Sequence, residues 1–224
     1  MKRIAAFYSS SVGQKLLVGL SGLFLCSFLI VHLYINLFLL KQDSGQTFDV
    51  YSEFMATYPL IRPLEIALFA GFLLHILLAA WIWFVNRKVR PSRYAVNRAA
   101  DNSALSSRIM IVSGSIVLLF LVIHVNSFFV GSRFLHTNRT VYEIVRDAFI
   151  NPWYVAFYLV ALVFLGYHLK HGFQSAFQTF GIRPGKYRRL IDLVAVVFWL
   201  LIPLAFAAIP LYFLWAYSRG VYLP

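Results

Sequence analysis

The chain has 224 residues, of which 61% are hydrophobic and 12% are charged, and its formal net charge is +12. Soluble domains carry about 25% charged residues, so this composition excludes an ordinary soluble domain. The apolar runs and their short connections leave no room for a soluble catalytic domain. The positive charge follows the loops between these runs, which excludes a nucleic-acid-binding patch as its explanation. The sequence therefore predicts one all-α integral membrane domain over residues 1–224.

Five long stretches contain no Asp, Glu, Lys or Arg, and each is long enough to cross a bilayer as a helix. In chain order they are Leu16–Leu40, Ile66–Asn86, Ile109–Ser132, Ala148–Leu169 and Leu193–Ser218. With their flanking residues they predict a bundle of five transmembrane helices, at about 12–40, 63–86, 106–132, 151–180 and 190–217. Between the first two helices, apolar residues at helical spacing predict an amphipathic turn or helix within Phe48–Arg62. In the fifth helix, Pro203 and Pro210 predict a bend.

Lys and Arg alternate between the two sides of this bundle. They are concentrated in the N-terminal segment and in the second and fourth loops, at Lys2, Arg3, Lys15, Arg87, Lys88, Arg90, Arg93, Arg98, Arg108, Arg183, Lys186, Arg188 and Arg189. The first and third loops hold most of the acids. Positive charge stays on the cytoplasmic side, so we expect a cytoplasmic N-terminus and an outside C-terminus.

The first four helices each contain a histidine, and the fifth contains none. His32 and His124 each lie nine residues before a charged residue at the outer boundary, which places them about 13 Å below it. His75 and His168 lie on helices that run inward, roughly 20–22 Å below the same boundary. The sequence therefore predicts an outer layer with His32 and His124 and an inner layer with His75 and His168.

Two histidines from two helices are what a six-coordinate b-type haem requires, so the layers predict two bis-histidine haems with these four residues as iron ligands. A histidine proton relay in a transporter is the alternative, because polar groups inside a membrane usually have a function. A purely structural anchor is a third possibility, since polar side chains also join membrane helices. His171 is three residues after His168 on roughly the same face, so it is an alternative iron ligand, or a neighbour of the ligand that reaches a propionate or solvent. Haem propionates need cations, and Arg108 and Lys170 are candidates, although either would also suit an interfacial anchor.

The sequence around these histidines resembles the diheme cytochrome b membrane anchors of succinate:quinone oxidoreductases, the succinate dehydrogenases and fumarate reductases. The similar segments are SSVGQK at residues 10–15, IVH ending at His32, LLHI around His75, LVIH ending at His124 and HLKHGFQSAFQTFG at residues 168–181. The last is similar to the family segment H-x-x-[HN]-G-x-x-S, in which the first histidine is the ligand. The resemblance spans the chain and implies a five-helix, single-chain anchor.

The resemblance also implies a function. A flavoprotein subunit and an iron–sulfur subunit would dock on the cytoplasmic face of a bacterial inner membrane, and electrons would pass through the two haems to or from a membrane quinone, expected to be menaquinone. The dicarboxylate chemistry would belong to the partner subunits. The implied pairing is the same: His32 with His124 for the distal haem, and His75 with His168 for the proximal one. A quinone near the distal haem would be bound from the outer loop, where Asp49, Tyr51, Glu53 and Arg62 are candidates. A diheme cytochrome b of another membrane dehydrogenase is the nearest alternative.

Overall fold

The computed structural model describes residues 10–89, 109–135, 138–182 and 185–220, and their regular structure is entirely helical. The helices are α1 (Ser11–Asn36), α2 (Gln46–Thr57), α3 (Ile61–Val89), α4 (Met110–His124), α5 (Val141–Phe149), α6 (Pro152–Thr179), α7 (Arg188–Val196) and α8 (Ile202–Ser218). A 3₁₀ turn, Leu37–Leu40, extends α1. A π-helix, Val125–Leu135, continues α4, and a second one, Val197–Leu201, joins α7 to α8.

Within the described residues, five helical spans are long and apolar enough to cross a membrane: Ser11–Leu40, Ile61–Lys88, Met110–Leu135, Pro152–Thr179 and Arg188–Ser218. The prediction of an all-α bundle with five membrane helices is confirmed. Large apolar side chains point away from the bundle on every span, as shown by Leu20, Ile66, Val122, Val163 and Leu204. In a bilayer these faces contact lipid, and the helical hydrogen bonds satisfy the backbone there.

The α6 helix occupies the centre of the bundle and packs against α1, α4 and the fifth span, while α3 packs on the other side of α1. Small residues permit these close approaches. A Cβ at Gly19 of α1 would lie 3.5 Å from Ala176 Cα of α6. A Cβ at Gly166 of α6 would lie only 2.8 Å from the carbonyl oxygen of Trp199. Small residues at such crossings are typical of membrane helix packing.

Pro203 lies one turn after Trp199, the residue at which the fifth span approaches Gly166 of α6. A proline has no N–H, so residue 203 cannot give the usual helical hydrogen bond to the carbonyl four residues earlier, which is that of Trp199. The π-helix Val197–Leu201 ends two residues before Pro203, while the bend expected at Pro203 and Pro210 stays a prediction. Gly166 faces this carbonyl of Trp199.

Two short helices, α2 and α5, cover the end of the bundle at which α1 ends and α6 begins. We call this the capped end. Its core joins Leu39, Phe48, Tyr142, Phe149, Val155, Tyr158, Ile209 and Phe213. The sequence predicted an amphipathic turn or helix in the region of α2, which is helical from Gln46 to Thr57.

The α5 helix was not predicted, although its sequence carries a recognisable start signal. The Thr140 side chain accepts a hydrogen bond from the backbone N–H of Glu143, and the Glu143 carboxylate accepts one from the backbone N–H of Thr140. This reciprocal arrangement is a capping box, which a Thr followed three residues later by Glu announces.

Candidate functional site

Two histidines meet in the half of the bundle nearer the capped end. His32 of α1 and the last residue of α4, His124, have ring centroids 5.7 Å apart and ring planes 85° apart. Both rings are partly buried among aromatic side chains, namely Phe28, Phe120, Phe128 and Phe206. We call His32 and His124 the outer pair.

The second pair lies further from the capped end. The rings of His75 on α3 and His168 on α6 have centroids 6.2 Å apart, with an angle of 75° between their planes. Glycines of neighbouring helices lie beside both rings. A Cβ at Gly22 would be 3.2 Å from His75 Cε1, and a Cβ at Gly114 would be 3.5 Å from His168 Cε1. We call His75 and His168 the inner pair.

The ring spacings suit a metal atom shared between two imidazoles. Each metal–nitrogen bond is about 2 Å, and each ring centre lies about 1 Å beyond its nitrogen, so two imidazoles on one metal have centroids about 6 Å apart. An edge-to-face contact is also a common packing of two aromatic rings. The hydrogen bonds of the ring nitrogens therefore distinguish metal binding from ring packing better than the spacing does.

Two of the four histidines have their Nδ1 atom bound to a hydroxyl group. His75 Nδ1 lies 3.1 Å from Ser21 Oγ, whose hydrogen is donated to the carbonyl of Val18 at 3.0 Å. Because a hydroxyl has a single hydrogen, Ser21 accepts from His75 Nδ1–H, and Nε2 of this neutral ring keeps its lone pair. His124 Nδ1 lies 3.0 Å from Tyr158 Oη. In both residues Nε2 is the nitrogen that remains to bind a metal.

The other two histidines differ. His168 Nδ1 is buried, and no described residue provides a hydrogen-bond partner for it. A buried polar atom without a partner is rare, and an ordered water, an ion or a bound cofactor would satisfy it. His32 Nδ1 lies 3.3 Å from Asn36 Nδ2, which also donates to the His32 carbonyl at 2.7 Å. Metal binding at His32 Nε2 would place a proton on Nδ1, facing this amide N–H, so the Asn36 side chain would have to turn.

These residues fit a haem at each pair: each offers two imidazoles from different helices, flanked by small or aromatic residues, and the inner pair contains an unsatisfied ring nitrogen. Among the described residues, no group of three or more His, Cys, Asp or Glu side chains comes together. The two histidine pairs are the candidate donor sets in this part of the chain.

Of the predicted propionate contacts and the alternative ligand, Lys170 and His171 are among the described residues. Lys170 extends its ammonium over the ring of Trp199, with Nζ 4.5 Å from the ring centroid. His171 lies on α6 in the turn after His168 and is partly buried. Arg108 is outside the described residues, as is His136.

The four predicted quinone residues lie in different local environments at the capped end. Asp49 Oδ1 accepts a hydrogen bond from the backbone N–H of Tyr142 at 2.9 Å. Tyr51 is stacked on Phe38, with centroids 4.6 Å apart. Glu53 is exposed on α2. Arg62 donates to Glu65 and, at 2.9 Å, to the carbonyl of Met55.

Sequence reasoning missed the hydroxyl partners of the histidines, Ser21 and Tyr158, and the ion pair between Glu65 and Arg133. This pair joins α3 to the π-helix after α4, with Arg133 Nη2 3.1 Å from Glu65 Oε2. Each contact joins residues that are far apart along the chain. The approximate heights of the histidines can be counted from the sequence, but helix rotation decides which side chains face them.

The fold and its histidine pairs define a multi-pass helical membrane protein with paired imidazoles inside the bundle. A family model described as succinate dehydrogenase/fumarate reductase transmembrane subunit matches residues 85–204, which is more than half of the chain. The chain belongs to this family of membrane subunits. The matched region contains His124 and His168, while His32 and His75 precede it. Neither the comparison with curated proteins nor that with solved structures finds a match.

Proposed function

We propose that the chain is the electron-carrying membrane anchor of a succinate dehydrogenase or fumarate reductase and holds two b-type haems. His32 and His124 would be the axial ligands of the outer haem, and His75 and His168 those of the inner haem. The observation that carries this proposal is the pairing of the rings across the bundle, with centroid distances of 5.7 and 6.2 Å. Membership of the family supports the class of complex.

The residues of the chain have distinct contributions in this proposal. When bound, haem supplies reversible one-electron transfer, which would connect an iron–sulfur subunit with a membrane quinone. The four imidazoles would hold the two haem irons. Phe28, Phe120, Phe128 and Phe206 surround the outer pair and exclude water from it. Gly22 and Gly114 keep space beside the inner pair.

Partner subunits would bind at the end opposite the capped end. This assignment follows the Lys and Arg distribution, which favours a cytoplasmic location for the N-terminal segment and for the second and fourth loops. A flavoprotein subunit and an iron–sulfur subunit are the partners that the family name implies. The capped end would then face the outside of a bacterial cytoplasmic membrane.

The quinone would bind near the outer pair at the capped end. Glu53 is exposed and therefore accessible to a headgroup that exchanges protons with a carboxylate. Asp49, Tyr51 and Arg62 already have contacts within the protein, and their involvement would require these contacts to coexist with a bound quinone.

The haem content of the purified protein tests the proposal. The pyridine haemochrome assay, combined with protein quantification, is expected to give two b-type haems per chain, as two pairs of axial ligands require. Replacement of His32 or His124 by Ala is expected to remove the outer haem and keep the inner one. Replacement of His75 or His168 is expected to do the reverse.

His171→Ala is the matched control, because it removes an imidazole from the same helix one turn after His168 and is expected to keep both haems. Folded wild-type protein without haem, produced with ample haem supply, would refute the proposal. Equal loss of both haems from every histidine variant, including His171→Ala, would contradict the assignment of ligands.

A further inference from the structure

A short chain of hydroxyl groups leads from the capped end to the outer pair. Tyr154 Oη lies 3.3 Å from Tyr158 Oη, which in turn lies 3.0 Å from His124 Nδ1. The two tyrosines are one turn apart on α6, near its start at Pro152. Tyr158 is buried, and Tyr154 is partly exposed.

The number of hydrogens limits how this chain can be arranged. The Tyr158 hydroxyl has one hydrogen and two neighbours, so it donates either to His124 Nδ1 or to Tyr154 Oη. A neutral imidazole that binds a metal through Nε2 carries its proton on Nδ1. Ligation at His124 Nε2 would therefore require Tyr158 to accept from Nδ1–H and to donate its own hydrogen to Tyr154.

The inner pair has a simpler arrangement. Ser21 Oγ lies between His75 Nδ1 and the carbonyl of Val18, and a carbonyl can only accept. When Ser21 donates its hydrogen to this carbonyl, it accepts from His75 Nδ1–H, whereas the hydrogen of Tyr158 can point to either of its two neighbours. Each pair thus has one histidine whose Nδ1 is held by a hydroxyl group from a neighbouring helix.

We propose that Tyr158 and Ser21 are positioning residues, each of which orients one histidine of a pair and sets the reduction potential of the haem at that pair. The proposal depends on the proposed function, since it assumes that the pairs hold haem. A hydrogen bond from Nδ1–H increases the basicity of the ligating nitrogen. A more basic ligand stabilises the ferric state, so loss of the hydroxyl is expected to raise the potential of the corresponding haem.

Tyr158 also packs among aromatic rings, and this structural contribution must be kept apart from the hydrogen bond. Its ring contacts Phe120 and Phe149 with centroid distances of 4.9 and 5.1 Å. Tyr158→Phe keeps the ring and removes only the hydroxyl. A residue that acts through packing alone would leave the haem potential unchanged in this variant.

The experiment is a redox titration of the purified, haem-containing protein, followed by the absorbance of the reduced haems. The titration has one redox component for each haem. The component of the outer pair is identified beforehand as the one lost in His124→Ala, and that of the inner pair as the one lost in His75→Ala. Tyr158→Phe is expected to raise the potential of the outer component alone, and Ser21→Ala that of the inner component alone. Tyr154→Phe keeps the Tyr158–His124 contact but removes the acceptor beyond it, so a smaller rise of the outer component is expected.

Control variants on α1 are Ser27→Ala, which removes an exposed hydroxyl that donates to the carbonyl of Phe24, and Tyr34→Phe on an exposed tyrosine. Both are expected to leave the two potentials unchanged. Unchanged potentials in Tyr158→Phe and Ser21→Ala, with both haems present, would overturn the inference and leave the proposed function intact. Wild-type protein without haem would overturn both. If Tyr158→Phe does not accumulate, an unchanged outer potential in Tyr154→Phe together with an unchanged inner potential in Ser21→Ala would overturn the inference.

Discussion

The carboxylate of Asp49 accepts a hydrogen bond from the backbone N–H of Tyr142 at 2.9 Å and so joins the first turn of α2 to the first turn of α5. The N–H groups of a first helical turn have no partner within the helix. Asp49 satisfies one of them from a distant part of the chain. Thr140 satisfies another locally, so α5 is fixed both to its own start and to α2.

This hydrogen bond predicts a structural contribution of Asp49, which two variants can distinguish from a chemical one. Loss of a capping carboxylate costs about 1 kcal/mol of stability, so Asp49→Ala is expected to lower the thermal stability of the purified protein. Asp49→Asn keeps an oxygen acceptor for Tyr142 N–H and is expected to lose much less. Thermal unfolding in detergent measures the difference.

The same two variants test the predicted role of Asp49 at a quinone site. If the carboxylate exchanges protons with quinone, Asp49→Asn will lower the rate of quinone turnover in the assembled complex while the thermal stability stays nearly unchanged. If Asp49 is only a cap, Asp49→Asn will retain both. A loss of turnover that parallels the loss of stability in both variants would argue against a chemical role.

Gly166 provides a prediction about the packing of the bundle. A Cβ at this position would lie 2.8 Å from the carbonyl oxygen of Trp199, and backbone cannot move aside as a flexible side chain can. Overpacking of this kind costs about 1–3 kcal/mol, so Gly166→Ala is expected to lower thermal stability. Because Gly166 precedes His168 by two residues on α6, partial loss of the inner haem is also expected.

Gly172→Ala is the control for this change. A Cβ at Gly172 would meet only Met110 Cε, at 4.0 Å, which is an ordinary contact. Alanine has a higher helix propensity than glycine, so the control is expected to be neutral or slightly stabilising. Equal stabilities of the two variants would show that α6 and the fifth span can separate without cost.

The sequence allowed the membrane class and the number of spans to be predicted, because uncharged runs of this length have few alternatives. The height of each histidine could also be counted along its helix. Contacts that depend on helix rotation could not be predicted, and they include the hydroxyl partners Ser21 and Tyr158. The π-helix after His124 was equally unforeseen, since nothing in Val125–Leu135 distinguishes it from an ordinary apolar helix. By contrast, α5 was predictable from its capping box at Thr140 and Glu143.

The ion pair between Glu65 and Arg133 is expected to couple α3 to the span that begins with α4. Glu65 also binds Arg62, with Nη1 3.2 Å from Oε2, so it is shared by two cations. The side chain of Glu65 is 23% exposed and that of Arg133 is 27% exposed, so both are more buried than the side chains of an ordinary surface ion pair. A coupling energy of about 1 kcal/mol is therefore expected, near the upper end for exposed pairs.

A double-mutant cycle with Glu65→Gln and Arg133→Gln measures this coupling by thermal unfolding. Glu65→Gln is expected to cost more than Arg133→Gln, because it leaves two arginines without their shared carboxylate. Lys41→Gln is a control for the loss of an exposed cation, since Lys41 pairs with Asp43 at 3.6 Å and is half exposed. Additive effects of the two glutamine variants would show that the pair does not couple the spans.

Asp147 at the capped end predicts a dependence of stability on acid pH. Partial burial raises the pKa of this carboxyl, but hydrogen bonds from Arg139 and Arg146 outweigh burial and hold the pKa below its ordinary value. A carboxyl whose pKa is lower in the folded state stabilises the fold above its unfolded pKa, and this contribution disappears as the pH falls through the folded pKa. Wild-type protein is therefore expected to be more stable than Asp147→Asn at pH 6. The difference should begin to fall at about pH 4, the ordinary pKa of an aspartate, and should vanish only below the lowered pKa of the folded carboxyl. Thermal unfolding of both proteins at several pH values tests this, and because both carry the same histidines, acid effects on the haem pairs cancel in the comparison. A difference between the two proteins that does not change with pH would mean that the ion pairs of Asp147 contribute nothing to the stability of α5.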